Sequence, residues 1–146
     1  MLRPTNRVHR MPACLSAIHA ETRLARPIRV LLVEDDLDLR GALADLLRLE
    51  RMEVVEAENG LDALLHLRTV KPAPDVIVLD LDMPVMSGRE FREAQLREPT
   101  VAAVPVILLS SHRVAGVPAA AVLEKPCAPE RLLATIARVA GAASPR

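Results

Sequence analysis

Four stretches of this chain end in side chains suited to handling a phosphoryl group. "IRVLLVEDD" runs out in Glu34, Asp35 and Asp36, and "DVIVLDLD" in Asp80 and Asp82. "VPVILLSS" ends in Ser110 and Ser111, and "AAVLEKP" carries Lys125. Carboxylates brought close together repel one another and raise each other's pKa unless a cation stands between them. Oxygen donors with water suit Mg²⁺, which takes one or two carboxylates and leaves room for a phosphate. An ammonium and a hydroxyl alongside would meet the remaining phosphoryl oxygens. That chemistry is phosphoryl transfer, with Asp80 as the nucleophile.

Each group also has a plainer role. An acid after a strand commonly caps the next helix, as Asp36 or Asp38 can do here. Asp82 fits a turn before Met83-Pro84, and Ser111 a loop hydroxyl. His66 and His112 stand alone, one on a helix surface and one in a loop, while Phe91 and the methionines read as core. Glu34, Asp35, Asp80, Ser110 and Lys125 taken together resist that reduction, because four separate strand ends supply them.

The positioning elements follow from periodicity. "IRVLLVE" is an aliphatic, β-branched run that reads as a strand. "DLDLRGALADLLRLE" places Leu39, Ala42, Leu43, Leu46 and Leu47 on one helical face. "EVVEAE" reads as a strand, Asn59-Gly60 as a turn, and "LDALLHLRTV" as a helix. A proline-containing loop over 71–74 precedes the strand "DVIVLD". The loop "LDMPVMSG" and the helix "REFREAQLRE" come next, then the strands "VPVILLS" and "AAVLE". "PERLLATIARVAG" closes the pattern as a helix with Pro129 in its first turn. This β-α-β-α-β-α-β-(short)-β-α order predicts a parallel sheet covered on both faces. In such sheets chemistry collects beyond the carboxyl ends of the strands.

Composition narrows the function classes. The 146 residues suit one domain, 51% are hydrophobic, 26% are charged, and the net charge is zero. No basic excess favours nucleic acid, and no apolar stretch approaches the length of a bilayer span. Phe91 is the only aromatic residue, so the core must be aliphatic and stacking on bases is disfavoured. Cys14 and Cys127 lie in no CxxC or Cys/His cluster, which points away from zinc and toward a reducing cytoplasm. Residues 1–27 carry five arginines against Glu21, with prolines at 4, 12 and 27 and no apolar signal core. They read as a disordered extension, part of which could precede a natural start at Met11. The folded domain is expected over 28–141, with 142–146 as a tail.

"VLLVEDD", "DVIVLDLDMPVMSG", "PVILLSS" and "LEKP" together resemble the receiver domain of two-component response regulators, the CheY-like family, from about Ile28 to Gly141. The resemblance implies a flavodoxin-like, doubly wound, five-stranded parallel sheet. It implies that Asp80 accepts a phosphoryl group from a phosphohistidine on a histidine kinase or histidine phosphotransfer protein. Glu34 and Asp35 would hold Mg²⁺ with Asp80 and the backbone carbonyl of Asp82. Ser110 corresponds to the switch hydroxyl, Lys125 to its ion partner, and the Lys125–Pro126 bond to a cis peptide. The Asp82 side chain and His112 stand where receivers tune the approach of hydrolytic water. With the chain ending at Arg146, the expectation is a stand-alone, cytoplasmic regulator. It would not turn over a separate substrate and would act on an unknown protein target, not on nucleic acid or membrane.

Two other readings compete. "VLDLD" resembles the D-x-D start of haloacid-dehalogenase-like phosphatases, but Pro84 departs from that motif and four elements precede it. A receiver-like interaction module unregulated by phosphate is the other. It draws on the stretch between Ser110 and Lys125, which spans only fifteen steps and contains Gly116 and Pro118. A parallel crossover needs roughly a dozen residues and usually a helix. The helix of this fourth crossover is therefore expected to be reduced or absent, with at most one turn near Pro118–Ala121. Val122 also stands where the family usually has an aromatic residue, so the usual aromatic report of Ser110 movement is missing.

Overall fold

A computed structural model describes residues 26–143. The readings made above for residues 1–25, including Met11 and Cys14, and for 144–146 lie outside the described residues. Chain order is β1 (Arg29–Val33), α1 (Leu37–Leu49), β2 (Glu53–Ala57), α2 (Gly60–Thr69), β3 (Val76–Asp80), α3 (Gly88–Leu96), β4 (Val106–Ser110), β5 (Ala121–Glu124) and α4 (Pro129–Ala143). The five strands form one parallel sheet in the order β2-β1-β3-β4-β5. This is the expected doubly wound architecture.

Strand side chains alternate between two aliphatic layers, as the period of two requires. Val30, Leu32, Val76, Val78, Ile107, Leu109 and Leu123 meet α1 and α4 on one face. Leu31, Val33, Ile77, Leu79, Val106 and Leu108 meet α2 and α3 on the other, with Phe91 fully buried among them. Every residue of β3 and β4 is buried, so these two central strands read as continuous apolar runs ending in Asp80 and Ser110.

The helix starts are built locally. Asp36 caps α1, its side chain accepting from the Asp38 and Leu39 amides. Asn59 caps α2, and Ser87 with Glu90 forms a reciprocal capping box on α3. Pro129 is the first residue of α4, where its missing N–H costs nothing. The apolar stripe of α1 is rotated from the sequence expectation. Ala44 and Leu47 are its buried centre and Leu43 and Leu46 are half-buried, whereas Leu39 and Ala42 face solvent. A small residue at 44 lets the helix approach the sheet closely there.

The connection from β4 to β5 contains no helical residue; even the single turn expected near Pro118–Ala121 is absent. Val114, Val117 and Ala119 nevertheless pack on the α2/α3 face, so an extended segment covers the area that a crossover helix would cover. At the opposite end of the sheet, Arg26 makes a two-pronged ion pair with Asp75, at 2.7 and 2.9 Å. Asp75 also accepts from the Arg29 amide. Burial pushes the Asp75 carboxyl up, but these donors outweigh it and hold it below its ordinary value. None of the described helices is long and apolar enough to cross a membrane.

Candidate functional site

The carboxyl ends of β1, β3, β4 and β5 bring the expected residues to one edge. Glu34 follows β1 directly and is 1% exposed; Asp80 closes β3 at 4%; Ser110 closes β4 at 2%. Lys125 follows β5, and its ammonium lies 2.9 Å from Glu34 Oε2 and 3.3 Å from Asp80 Oδ1. The Lys125–Pro126 bond is cis, as is Lys71–Pro72. Asp35 is exposed, yet one carboxylate oxygen from each of Glu34, Asp35 and Asp80 falls within a 4.8 Å cluster. Three hard oxygen donors at that spacing fit a divalent cation such as Mg²⁺.

Burial pushes the Asp80 carboxyl up to about 6, the charge of Glu34 pushes in the same direction, and Lys125 and the Asp82 amide oppose them. Burial alone would lower the Lys125 pKa. The Glu34 hydrogen bond and the charges of both acids outweigh that effect, and the net shift is upward. Lys125 therefore stays an ammonium and partly offsets two buried acids.

The remaining residues are placed differently. Asp82 is exposed, and its amide donates to Asp80 Oδ1 at 3.2 Å. The Ser110 hydroxyl does not reach for Asp80. It donates to the His112 carbonyl at 2.9 Å and accepts from the His112 amide at 3.1 Å. Ser111 and His112 lie exposed in the loop.

Two glycines let the loop after β3 close over the site. A Cβ on Gly88 would stand 2.8 Å from the Leu81 Cα and nearer still to the Asp80 carbonyl oxygen. Gly88 instead donates to the Leu81 carbonyl, which brings α3 against the end of β3. A Cβ on Gly60 would meet Met86, whose carbonyl accepts the Gly60 amide at 3.1 Å. Between Pro84 and Met86 an i to i+2 hydrogen bond closes a γ-turn around Val85, at φ 70°. That conformation is rare and strained for a β-branched residue.

Sequence reasoning passed over two arginines. Arg40 of α1 donates to the Glu34 carbonyl at 2.8 Å and lies 3.6 Å from Glu56, steadying the loop that carries the acids. Arg92 of α3 is 9% exposed, and it and Gln95 sit on the same buried face as Phe91. The available signal was that a cation and an amide interrupt the inward stripe of a short helix.

Comparison with known proteins agrees with this geometry. The family model described as the response regulator receiver domain matches residues 30–137. A protein-glutamate methylesterase/protein-glutamine glutaminase of Symbiobacterium thermophilum is 37% identical over 100 residues, covering 64% of this chain and 25% of that protein. The phosphate regulon transcriptional regulatory protein PhoB of Klebsiella pneumoniae is 33% identical over 124 residues, covering 80% of this chain and 53% of PhoB. The chain thus spans about a quarter of the one and half of the other. The crystal structure of Vibrio cholerae chemotaxis protein CheY4 superposes with a TM-score of 0.72 at 31% identity, covering 78% of this chain and 99% of CheY4. A parallel sheet that ends in these acids, this hydroxyl and this lysine, matched over most of its length, makes the chain a member of the response regulator receiver domain family.

Proposed function

We propose that this receiver domain accepts a phosphoryl group on Asp80 from a phosphohistidine donor, in a reaction that depends on Mg²⁺. The observation that carries the reading is the Lys125 ammonium shared by Glu34 and Asp80, with Asp35 completing a three-carboxylate cluster. Glu34, Asp35 and Asp80, with the Asp82 backbone carbonyl that the family resemblance adds, would hold the cation. When bound, it supplies neutralisation of the charge on the phosphoryl oxygens.

The chain's own residues do the rest. Asp80 must be ionised to attack, and Lys125 favours that state against burial. As the Asp80 oxygen bonds to phosphorus, the P–N bond breaks and its electron pair returns to the donor imidazole. Lys125, already beside Asp80, neutralises part of the growing charge without reorganising. Ser110 offers a hydroxyl proton that can turn to a phosphoryl oxygen once it leaves His112. The protein then signals by altered binding to a target protein or by passing the phosphoryl group onward. A histidine kinase or histidine phosphotransfer protein supplies it, in the cytoplasm. The only chemistry proposed is self-catalysed transfer and hydrolysis.

Incubation with acetyl phosphate and Mg²⁺ followed by intact mass is the test. A gain of one phosphoryl group that disappears in Asp80→Asn is expected. The helix-free β4–β5 connection and Val122 favour one alternative, an interaction module unregulated by phosphate. No mass gain in the presence of Mg²⁺ would select it. Turnover of an aryl phosphate would instead select a phosphatase.

A further inference from the structure

The connection from β4 to β5 has no helix to stiffen it, yet its backbone is gripped at defined points. Arg89 Nη2 donates to the Ala115 carbonyl at 3.1 Å, and Arg92 Nε to the Pro118 carbonyl at 2.8 Å. Among the described residues no ion pair involves Arg92. A mostly buried guanidinium that meets only neutral acceptors is costly to keep, so what it contributes is geometry rather than charge pairing. Its Nη1 donates to Gln95 Oε1 at 2.7 Å. Gln95 Nε2 in turn donates to the Val101 and Val104 carbonyls, each at 3.0 Å. These two side chains of α3 therefore hold both the entry to β4 and the far end of the connection that leaves it.

The near end is held by Ser110. Its hydroxyl has a single proton, at present given to the His112 carbonyl. Giving that proton to a phosphoryl oxygen on Asp80 means withdrawing it from His112, so the two arrangements exclude each other. Resting on the reading of Asp80 as phospho-acceptor, we infer that Arg92 is a positioning residue that couples Ser110 to the surface formed by residues 111–120. It pins the connection at Pro118, so release at His112 displaces a tethered segment between two fixed points instead of loosening the whole crossover. Val122 is 48% exposed and aliphatic, and this clasp serves where the family's aromatic report is missing.

The test compares wild type, Arg92→Met and Arg92→Lys, each with and without acetyl phosphate and Mg²⁺. Intact mass is read alongside amide hydrogen exchange. In wild type, phosphorylation should speed exchange about threefold or more at the His112 amide, which its bond to Ser110 Oγ protects, and leave peptides covering 119–123 unchanged. In Arg92→Met the increase should extend through 123, and Arg92→Lys, which keeps a donor, should partly restore its confinement. A purely structural role would raise exchange equally with and without phosphorylation, and that pattern overturns the inference. So does an Arg92→Met response identical to that of wild type, or a phosphorylated wild type whose connection does not respond. Protection over 29–33 reports whether each variant is folded. If Arg92→Met is not folded, Arg92→Lys carries the same comparison at smaller amplitude. Absence of any mass gain overturns the phospho-acceptor reading and the coupling with it; mass gain without the exchange pattern overturns the coupling alone.

Discussion

Replacing Asp80 by asparagine should stabilise the metal-free protein while abolishing phosphorylation. The Asp80 carboxyl is raised from 3.8 to about 6, chiefly by burial and then by Glu34. The folded chain therefore binds this proton more tightly than the unfolded one. Stability is highest below the unfolded value, falls as pH rises between the two pKa values, and stays low above about 6. A shift of roughly two units corresponds to about 3 kcal/mol of destabilisation at neutral pH. Asparagine carries no charge to desolvate, and the opposing pull of Lys125 is already contained in that net shift. The net gain near pH 7.5 is therefore about 3 kcal/mol. For a domain of this size the melting midpoint should rise by roughly 12 °C. Near pH 4.5, where folded wild type already carries the proton, about 2 kcal/mol of that advantage should vanish. Far-UV circular dichroism in EDTA is the assay, since the chain has no Trp or Tyr for fluorescence. Adding Mg²⁺ should then stabilise wild type more than the variant. An asparagine variant no more stable than wild type near neutral pH, or an advantage equal at both pH values, would refute the argument.

Val85→Gly should stabilise the protein by about 1 kcal/mol, because strain of roughly 1–3 kcal/mol at φ 70° exceeds the entropy that glycine adds to the unfolded chain. The side chain is 77% exposed, so little packing is lost, and an unchanged or lowered midpoint would count against the strained turn. Gly88→Ala should cost about 2–4 kcal/mol and impair phosphorylation, since the new Cβ collides with the end of β3; urea unfolding and intact mass read the two effects. Asp82→Ala and His112→Ala should each change the lifetime of phosphorylated Asp80 several-fold by altering the approach of water, and half-lives equal to wild type would remove both residues from that role.

Periodicity read well where one rule governed the outcome. β3 and β4 are apolar throughout because both faces are covered, and their runs stood out in the sequence for that reason. Asp36 and Pro129 sit where capping chemistry puts them. The stripe of α1 was misjudged because Leu39 and Ala42 satisfy the same i, i+3, i+4 spacing as the residues that are buried. Spacing alone does not say which arc of a leucine-rich helix meets the sheet. Gly60 and Gly88 looked like ordinary turn and loop residues; only the approach of Met86 and of the β3 end makes a side chain there costly.

The sequence by itself determined the alternating order of elements, the acids, hydroxyl and lysine at four strand ends, and a crossover too short for a full helix. Those are properties of local spacing and of chain length. Tertiary structure alone decided that Lys125 bridges Glu34 and Asp80 and that Arg92 reaches the Pro118 carbonyl. Both depend on groups from different elements meeting in space, with rotamers chosen by burial, and neither spacing nor propensity along one chain encodes such a meeting directly.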